Sequence, residues 1–150
     1  MNRNYEQKWG ELMLYRPMTA DDYEAAYQLW ESTEGMGLSE ADSREEILRY
    51  LERNPGISQV CVHEDGTLAG TAMCGHDGRR GYMYHVAVSG SSRGSGAGRE
   101  MVSRCMDKLR EEGIMKCHLM VIEGNRLGRG FWSGIGWQER EGLVLCSRNS

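Results

Sequence analysis

A mixed α/β (α+β) domain, with a central, mostly antiparallel sheet flanked by about four helices, is predicted by three observations. Residues 19 to 53 carry two apolar stripes at helical spacing. Residues 59 to 88 carry three short apolar runs separated by tight turns. Residues 96 to 112 carry one long amphipathic stretch behind a Gly-rich loop.

Taken in order, Leu12 to Arg16 alternates and stops at Pro17 and Thr19, which reads as a first strand. Thr19 with Asp22 is an N-cap signature, and Tyr23, Ala26, Tyr27 and Trp30 share one helical face until Gly35 and Gly37 break it. Ser43 with Glu46 makes a capping box, and Ile47, Leu48 and Leu51 form the next stripe, closed by Asn54, Pro55 and Gly56. Gln59 to His63 and Leu68 to Cys74 flank the turn pair Asp65 and Gly66, a hairpin signal. The loop Gly75 to Gly81 leads to a third strand, Tyr82 to Val88, and connections this short make the three strands antiparallel. Met101, Val102, Cys105, Met106 and Leu109 share one face of the following helix, which Gly113 stops. Ile114 to Ile122 is predicted as a buried strand, Arg126 to Ser133 as a glycine-weakened helix, and Gln138 to Ser147 as a closing strand. Residues 1–11 are polar and aperiodic, an N-terminal extension ahead of one domain over 12–150.

Composition narrows the function. The longest apolar run is four residues, where a membrane span needs about 20, and Met1 to Leu14 lacks the basic start and apolar centre of an export signal. Cys61, Cys74, Cys105, Cys117 and Cys146 are odd in number and without CxxC spacing, the pattern of reduced core thiols in a cytoplasmic protein. Together with His63, His76, His85 and His118 they show no ligand spacing, so no metal is expected. A net charge of −4 argues against nucleic-acid binding through an overall basic surface. Arg79 to Arg110 nevertheless carries a local +5 against −9 for the remainder, which suits a compact polyanion as well as it suits plain helix-surface charge.

The segment Val86-Ala87-Val88 runs into Arg93-Gly94-Ser95-Gly96-Ala97-Gly98 and then the long helix. Amides at a helix start are unsatisfied donors at the positive end of the helix dipole, and glycines let a diphosphate approach the backbone. The pattern reads as an anion cradle or as a flexible turn. A Walker loop needs Lys then Ser or Thr where Arg99 and Glu100 stand, and a dinucleotide fold needs parallel strands ahead of the loop.

Val86 to Gly98 resembles the acetyl-coenzyme A signature of the GNAT acetyltransferases, Arg/Gln-x-x-Gly-x-Gly/Ala after a strand, with Arg93, Gly96 and Gly98 at its defining positions. Leu14-Tyr15-Arg16-Pro17 with Asp21 and Asp22 is similar to the family's opening. Val121, Asn125, Phe131, Trp132, Gly136 and Trp137 look like its later block. Leu29-Trp30-Glu31, Gly75 to Gly81 and Tyr84 to Val88 look closest to the bacterial YpeA-like subgroup. The resemblance spans residues 12–147 and implies a GNAT fold whose sheet splays at the acetyl-CoA site.

It also implies roles. Val86, Ala87 and Val88 would line the pantetheine arm and polarise the thioester carbonyl. Arg93, Gly94, Ser95, Gly96, Ala97, Gly98 and Arg99 would wrap the diphosphate. Asn125 would bond the pantetheine, or simply cap its helix. Trp132 stands where many members have a Tyr acid; an indole N–H cannot protonate the departing thiol, so Trp132 packs on the cofactor or in a core. A thiol with a reference pKa of about 8.5 leaves tolerably without an acid. For the base that an ammonium acceptor requires, the candidates are Tyr84, His85 and Glu123. Strand alternation sends Tyr84 and His85 to opposite faces.

The acceptor is weakly encoded. Residues 1–65 hold 14 acidic and 6 basic side chains, with Glu31, Glu34, Glu40 and Asp42 around the first inter-helix loop, which suits a cationic amine or solvated helix ends. His76, Asp77, Arg79 and Arg80 suit a carboxylate instead. The implied function is acetyl transfer from acetyl-CoA to a primary amine, of a small molecule or of a protein, with a non-catalytic acyl-CoA-binding regulatory domain as the alternative. Leu143 to Cys146 offers an edge of the kind that pairs two subunits, leaving monomer and dimer both open.

Overall fold

The structure, a computed structural model, describes residues 12–150. The proposed extension over 1–11 lies outside the described residues. The chain divides into two compact units at Met120 and Val121.

The first unit is a five-stranded sheet in the order β1-β2-β3-β4-β5: β1 Met13–Pro17, β2 Gln59–His63, β3 Leu68–His76, β4 Gly81–Val88 and β5 Cys117–His118. Pairing is antiparallel from β1 through β4, and only β4 with β5 is parallel. Helices α1 (Tyr23–Glu31) and α2 (Arg44–Arg53) connect β1 to β2, and α3 (Ala97–Glu111) connects β4 to β5. The predicted strands and helices are present through α3, with ends shifted by one or two residues.

Period-2 alternation along β3 assigns the two faces. Thr71 accepts the indole N–H of Trp30 from α1 at 2.9 Å, whereas the carbonyl of its neighbour Ala72 accepts the thiol of Cys105 from α3 at 3.7 Å. Trp30, Ala26, Ile47, Val60, Val62, Met73 and Ala87 form one apolar cluster under α1 and α2. Met101, Cys105 and Leu109 of α3, all fully buried, are the apolar side of the last helix of this unit.

Each N-terminal helix is preceded by a single 3-10 turn closed by a Thr/Ser-x-x-Asp box. Thr19 donates its amide to Asp22 Oδ2 at 2.8 Å, and Ser39 donates its amide to Asp42 Oδ2 at 2.9 Å. The Ser43–Glu46 box forms only halfway. Ser43 Oγ accepts the Glu46 amide at 3.3 Å, but the Glu46 carboxylate turns outward to Arg49, one turn along.

Two expectations are corrected. The strand predicted over 114–122 reduces to Cys117–His118, because only these two residues meet a ladder partner, at Gly81 and Tyr82. The closing strand predicted over 138–147 is not a strand. Leu143, Val144 and Leu145 are 75%, 85% and 71% exposed, and among the described residues no strand pairs with them. Alternating β-branched and apolar residues favour a pleated surface only when a neighbour supplies the hydrogen bonds.

The second unit, Val121–Ser150, contains helix α4 (Arg126–Gly134). Asn125 caps it by accepting the Gly128 amide at 3.0 Å. A Cβ on Gly128 would come within 2.6 Å of the Asn125 side chain, which accounts for a glycine in the first turn of this helix. No helix among the described residues is long and apolar enough to cross a membrane.

Two outcomes follow from these contacts. Thr71→Val, near-isosteric and fully buried, leaves the Trp30 N–H without its acceptor and is expected to cost about 1–3 kcal/mol, measured as a lowered urea midpoint with unchanged slope. Burial pushes the Asp22 carboxyl up, but the two-pronged Arg16 contact at 2.8 Å and the Thr19 amide bring it net below 3.8. A depressed carboxylate contributes stability that is present above pH 3.8 and lost as pH falls through the lower folded-state value. Asp22→Asn is therefore expected to flatten the loss of thermal stability below pH 3.8, in melts recorded from pH 6 to pH 2.

Candidate functional site

The β3–β4 ladder pairs Thr71 with Ala87 and Met73 with Tyr84, so Ala72 faces two residues, His85 and Val86. This is a β-bulge. His85 carries it at φ +47, the one non-glycine residue with positive φ among the described residues. A side chain in the left-handed region costs about 1–2 kcal/mol, so the surroundings must hold it there.

They hold it at both ends. The Thr71 hydroxyl donates to the His85 carbonyl at 2.7 Å while accepting the buried Trp30 indole N–H. The ring Nε2 lies 2.5 Å from Asp42 Oδ1, and the ring packs against Trp30 with centroids 4.6 Å apart. Asp42 is itself fixed: it is buried, Oδ2 accepts the Ser39 amide, and its carbonyl accepts the Tyr23 hydroxyl at 2.7 Å.

The bulge overturns the expectation that alternation separates Tyr84 from His85. Residues opposed in an antiparallel ladder share a face, so Tyr84 lies with Met73, and Ala87 with Thr71, on the side of α1 and α2. The inserted residue brings His85 to that side as well. Tyr84 packs edge-on against Tyr50 of α2 at 6.2 Å, and His85 packs on Trp30 of α1. Burial, followed by the neighbouring Tyr82 and Cys117, pushes the Tyr84 phenol up, which keeps it a hydrogen-bond donor near neutral pH and makes it a poor base. Burial likewise pushes up the phenol of Tyr50, whose hydroxyl finds no hydrogen-bond partner among the described residues.

Asp42 is the functional candidate that sequence reasoning grouped with solvated acids. Ser39-x-x-Asp42 repeats the spacing of Thr19-x-x-Asp22, and that repeat was the available signal. Glu31, Glu34 and Glu40 are exposed, as solvated helix ends would be.

At the end of β4 the chain passes through a 3-10 turn, Gly90–Ser92, and reaches α3 by way of Gly94 at φ +78 and Gly96 at φ +85. Gly96 is the N-cap, and its carbonyl accepts the Glu100 amide at 3.0 Å. The amides of Gly98 and Arg99 lie inside the first turn, where a helix offers no acceptor. A Cβ at Gly94 or Gly96 would meet nothing within 4 Å, and Ala97 and Gly98 are small and buried, so the loop backbone is open on its outer side. Ser95 Oγ braces the loop on the Ser92 carbonyl at 2.6 Å.

From Arg93 to Arg110 the positive charge separates into two groups. Arg104, Lys108 and Arg110 pair with Glu100, Glu111 and Asp107 along α3 at 3.0, 3.6 and 3.1 Å. Arg93 and Arg99, at the loop, have no ion pair among the described residues. Arg93 Nε donates to the Val88 carbonyl at 3.3 Å. The β4–β5 ladder stops at Tyr82 with His118, so Met83 to Val88, including Val86, Ala87 and Val88, run on with no strand on that edge among the described residues.

In the second unit, Asn125 uses its Oδ1 as a helix cap. Trp132 stacks edge-on against Phe131 and Trp137, each at 5.0 Å. Glu123 is exposed, and its carbonyl, not its carboxylate, is engaged, accepting from Arg129 at 2.9 Å.

Residues 23–137 match the model of the Acetyltransferase (GNAT) family. An acetyltransferase of Pectobacterium atrosepticum is 31% identical over 138 residues, covering 92% of this chain and 94% of that protein. Of the solved structures, a Clostridium acetobutylicum protein described as a predicted acetyltransferase with acetyl-CoA is similar at TM-score 0.67 and 20% identity, covering 91% of this chain and 96% of that one. The paia N-acetyltransferase of Thermoplasma acidophilum in complex with coenzyme A is similar at 0.70 and 17%, covering 83% and 89%. An open strand edge that leads into a glycine-lined helix start is thus found in a chain that belongs to the GNAT family of acetyltransferases.

Proposed function

We propose that the chain transfers an acetyl group from acetyl-CoA to a primary amine, by direct attack of the amine on the thioester in a ternary complex. The observation that carries this reading is the continuity of two open backbone features: the edge of β4 from Met83 to Val88, without a strand partner among the described residues, and the loop with Gly94 and Gly96 that opens onto the start of α3. An extended pantetheine arm, with its own amide groups, suits the strand edge, and a diphosphate suits the helix start.

The residues fit the cosubstrate. Val86, Ala87 and Val88 would supply backbone groups along the arm. The amides from Gly94 to Arg99, with the guanidinium groups of Arg93 and Arg99, which have no ion pair among the described residues, would face the diphosphate. Asn125 and Trp132 enter this proposal through the family resemblance alone, as does Val121, and Glu123 enters as a third candidate base. We also place the chain in the YpeA-like subgroup, a reading supported by the way two of its resembling segments, around Trp30 and around Tyr84 to Val88, come together at the bulge. All five cysteines are free thiols, which supports a reducing, cytoplasmic setting.

One observation favours a second reading. Trp132 packs among aromatic rings and has no ionisable proton for a departing thiol, as in a regulatory domain that binds acyl-CoA without turning it over. Thiol release separates the two. With acetyl-CoA and a panel of polyamines, amino sugars and peptides bearing free N-termini or lysines, the transferase reading expects free coenzyme A above background with at least one amine. It is abandoned if none releases thiol while the cosubstrate binds.

Gly96→Glu is expected to abolish coenzyme A binding in titration calorimetry, through negative charge beside the diphosphate and strain at φ +85. Gly96→Ala carries the strain without the charge and is expected to cost about 1–2 kcal/mol of stability while retaining measurable binding. Undiminished affinity in a folded Gly96→Glu variant rules out this placement of the diphosphate.

A further inference from the structure

We propose that His85 is the base of the reaction, its Nδ1 taking the proton from the acceptor ammonium, and that Asp42 is the residue that positions it. This rests on the acetyl-transfer reading and goes beyond it by selecting the base and identifying the residue that directs it.

The chemistry follows from the contact. An aspartate is acceptor-only when ionised, so the ring nitrogen 2.5 Å from its Oδ1 must carry the hydrogen. Neutral His85 is thereby held as the Nε2–H tautomer, and Nδ1 becomes the basic nitrogen. Nδ1 makes no hydrogen bond among the described residues, and the His85 side chain retains 15% of its exposure. Asp42 cannot swing away, because its other oxygen closes the Ser39 box. Around the pair lie the Trp30 ring from α1, the Thr71 hydroxyl on the His85 carbonyl from β3, and Tyr23, whose hydroxyl bonds the Asp42 carbonyl. Asp42 is the only ionisable carboxylate bonded to the ring among the described residues. Asp42 meets the ring at Nε2 and the Trp30 ring packs against it, which leaves the Nδ1 side for the acceptor.

The backbone supports a functional origin for this arrangement. Core packing alone does not require a histidine at φ +47, and strain of this kind persists where the surroundings over-determine it. Here the Trp30–Thr71 relay fixes the carbonyl and Asp42 fixes the ring.

The step balances as follows. Nδ1 accepts one proton from R–NH3+, and the freed nitrogen lone pair forms the C–N bond to the acetyl carbon as the C–S bond breaks. The second nitrogen proton leaves with the thiolate as coenzyme A thiol, and the imidazolium returns its proton to solvent. Each turnover releases one proton, with the acetylated amine and the free thiol.

The test begins with the wild-type protein and long-range proton–nitrogen NMR of its imidazoles, which needs no substrate. The expected result is His85 in the Nε2–H tautomer when neutral, a preference that is lost in Asp42→Ala and retained in Asp42→Glu. An Nδ1–H tautomer in the wild-type protein, or a tautomer indifferent to Asp42→Ala, overturns the positioning role. With whichever amine of the panel turns over, His85→Gln is expected to lower kcat by about 10²-fold or more with KM for acetyl-CoA unchanged. Asp42→Ala is expected to lower kcat with KM for acetyl-CoA unchanged, and Asp42→Glu to restore part of it. An unchanged kcat in a folded His85→Gln variant overturns the base assignment and leaves acetyl transfer standing. Absence of thiol release from the wild-type protein with every amine overturns acetyl transfer and, with it, the base role.

Discussion

The buried hydrogen-bond relay from Trp30 through Thr71 to the His85 carbonyl is the constraint on which the first unit depends. It uses the only polar group of a fully buried tryptophan, docks α1 on the third strand of the sheet, and holds the extra residue of the β4 bulge in a conformation that an L-residue disfavours. A single hydroxyl does all three, because it can accept one hydrogen bond and donate another. The face presented by β4 is set by this relay: without the inserted residue, a regular strand would send Tyr84 and His85 to opposite sides, and only one would lie beside α1 and α2.

The two 3-10 turns show one device used twice. In each, an aspartate closes a capping box with one carboxylate oxygen and reaches across to a strand: Asp22 to Arg16 on β1, Asp42 to His85 on β4. The partners differ in what they can do. A guanidinium stays charged at any physiological pH, so the Asp22 pair is a fixed tie between strand and helix. An imidazole has a second ring nitrogen, so the Asp42 contact, made through one oxygen to Nε2, leaves Nδ1 without a hydrogen bond among the described residues.

Much of the fold was legible because its signals are local. Helical spacing from Tyr23 to Trp30, the Asp65-Gly66 turn, and the glycines ahead of Ala97 each specify an element without reference to distant residues. What was not legible depends on pairing across the sheet. The bulge at His85 exists because Ala72 opposes two residues, and no pattern within 81–88 announces it. The shortness of β5 and the missing strand over 138–147 have the same origin, since strand propensity is realised only against a partner. At the candidate site, the cradle from Arg93 to Arg99 could be read from glycine spacing, whereas Asp42 could not be separated from Glu31, Glu34 and Glu40 by charge alone. Gly128 illustrates the reverse case, a helix-weakening residue whose place is explained by the cap it makes room for.

The Asp42–His85 contact joins residues 43 positions apart, and Asp42 sits in the connection between two helices, not within either. The shape of that connection and the orientation of the ring are consequently set through one side chain. The turn that carries Ser39 and Asp42 decides which ring nitrogen is occupied, so a substitution that reshaped the turn would be felt 43 positions away on the strand without touching any residue of the sheet.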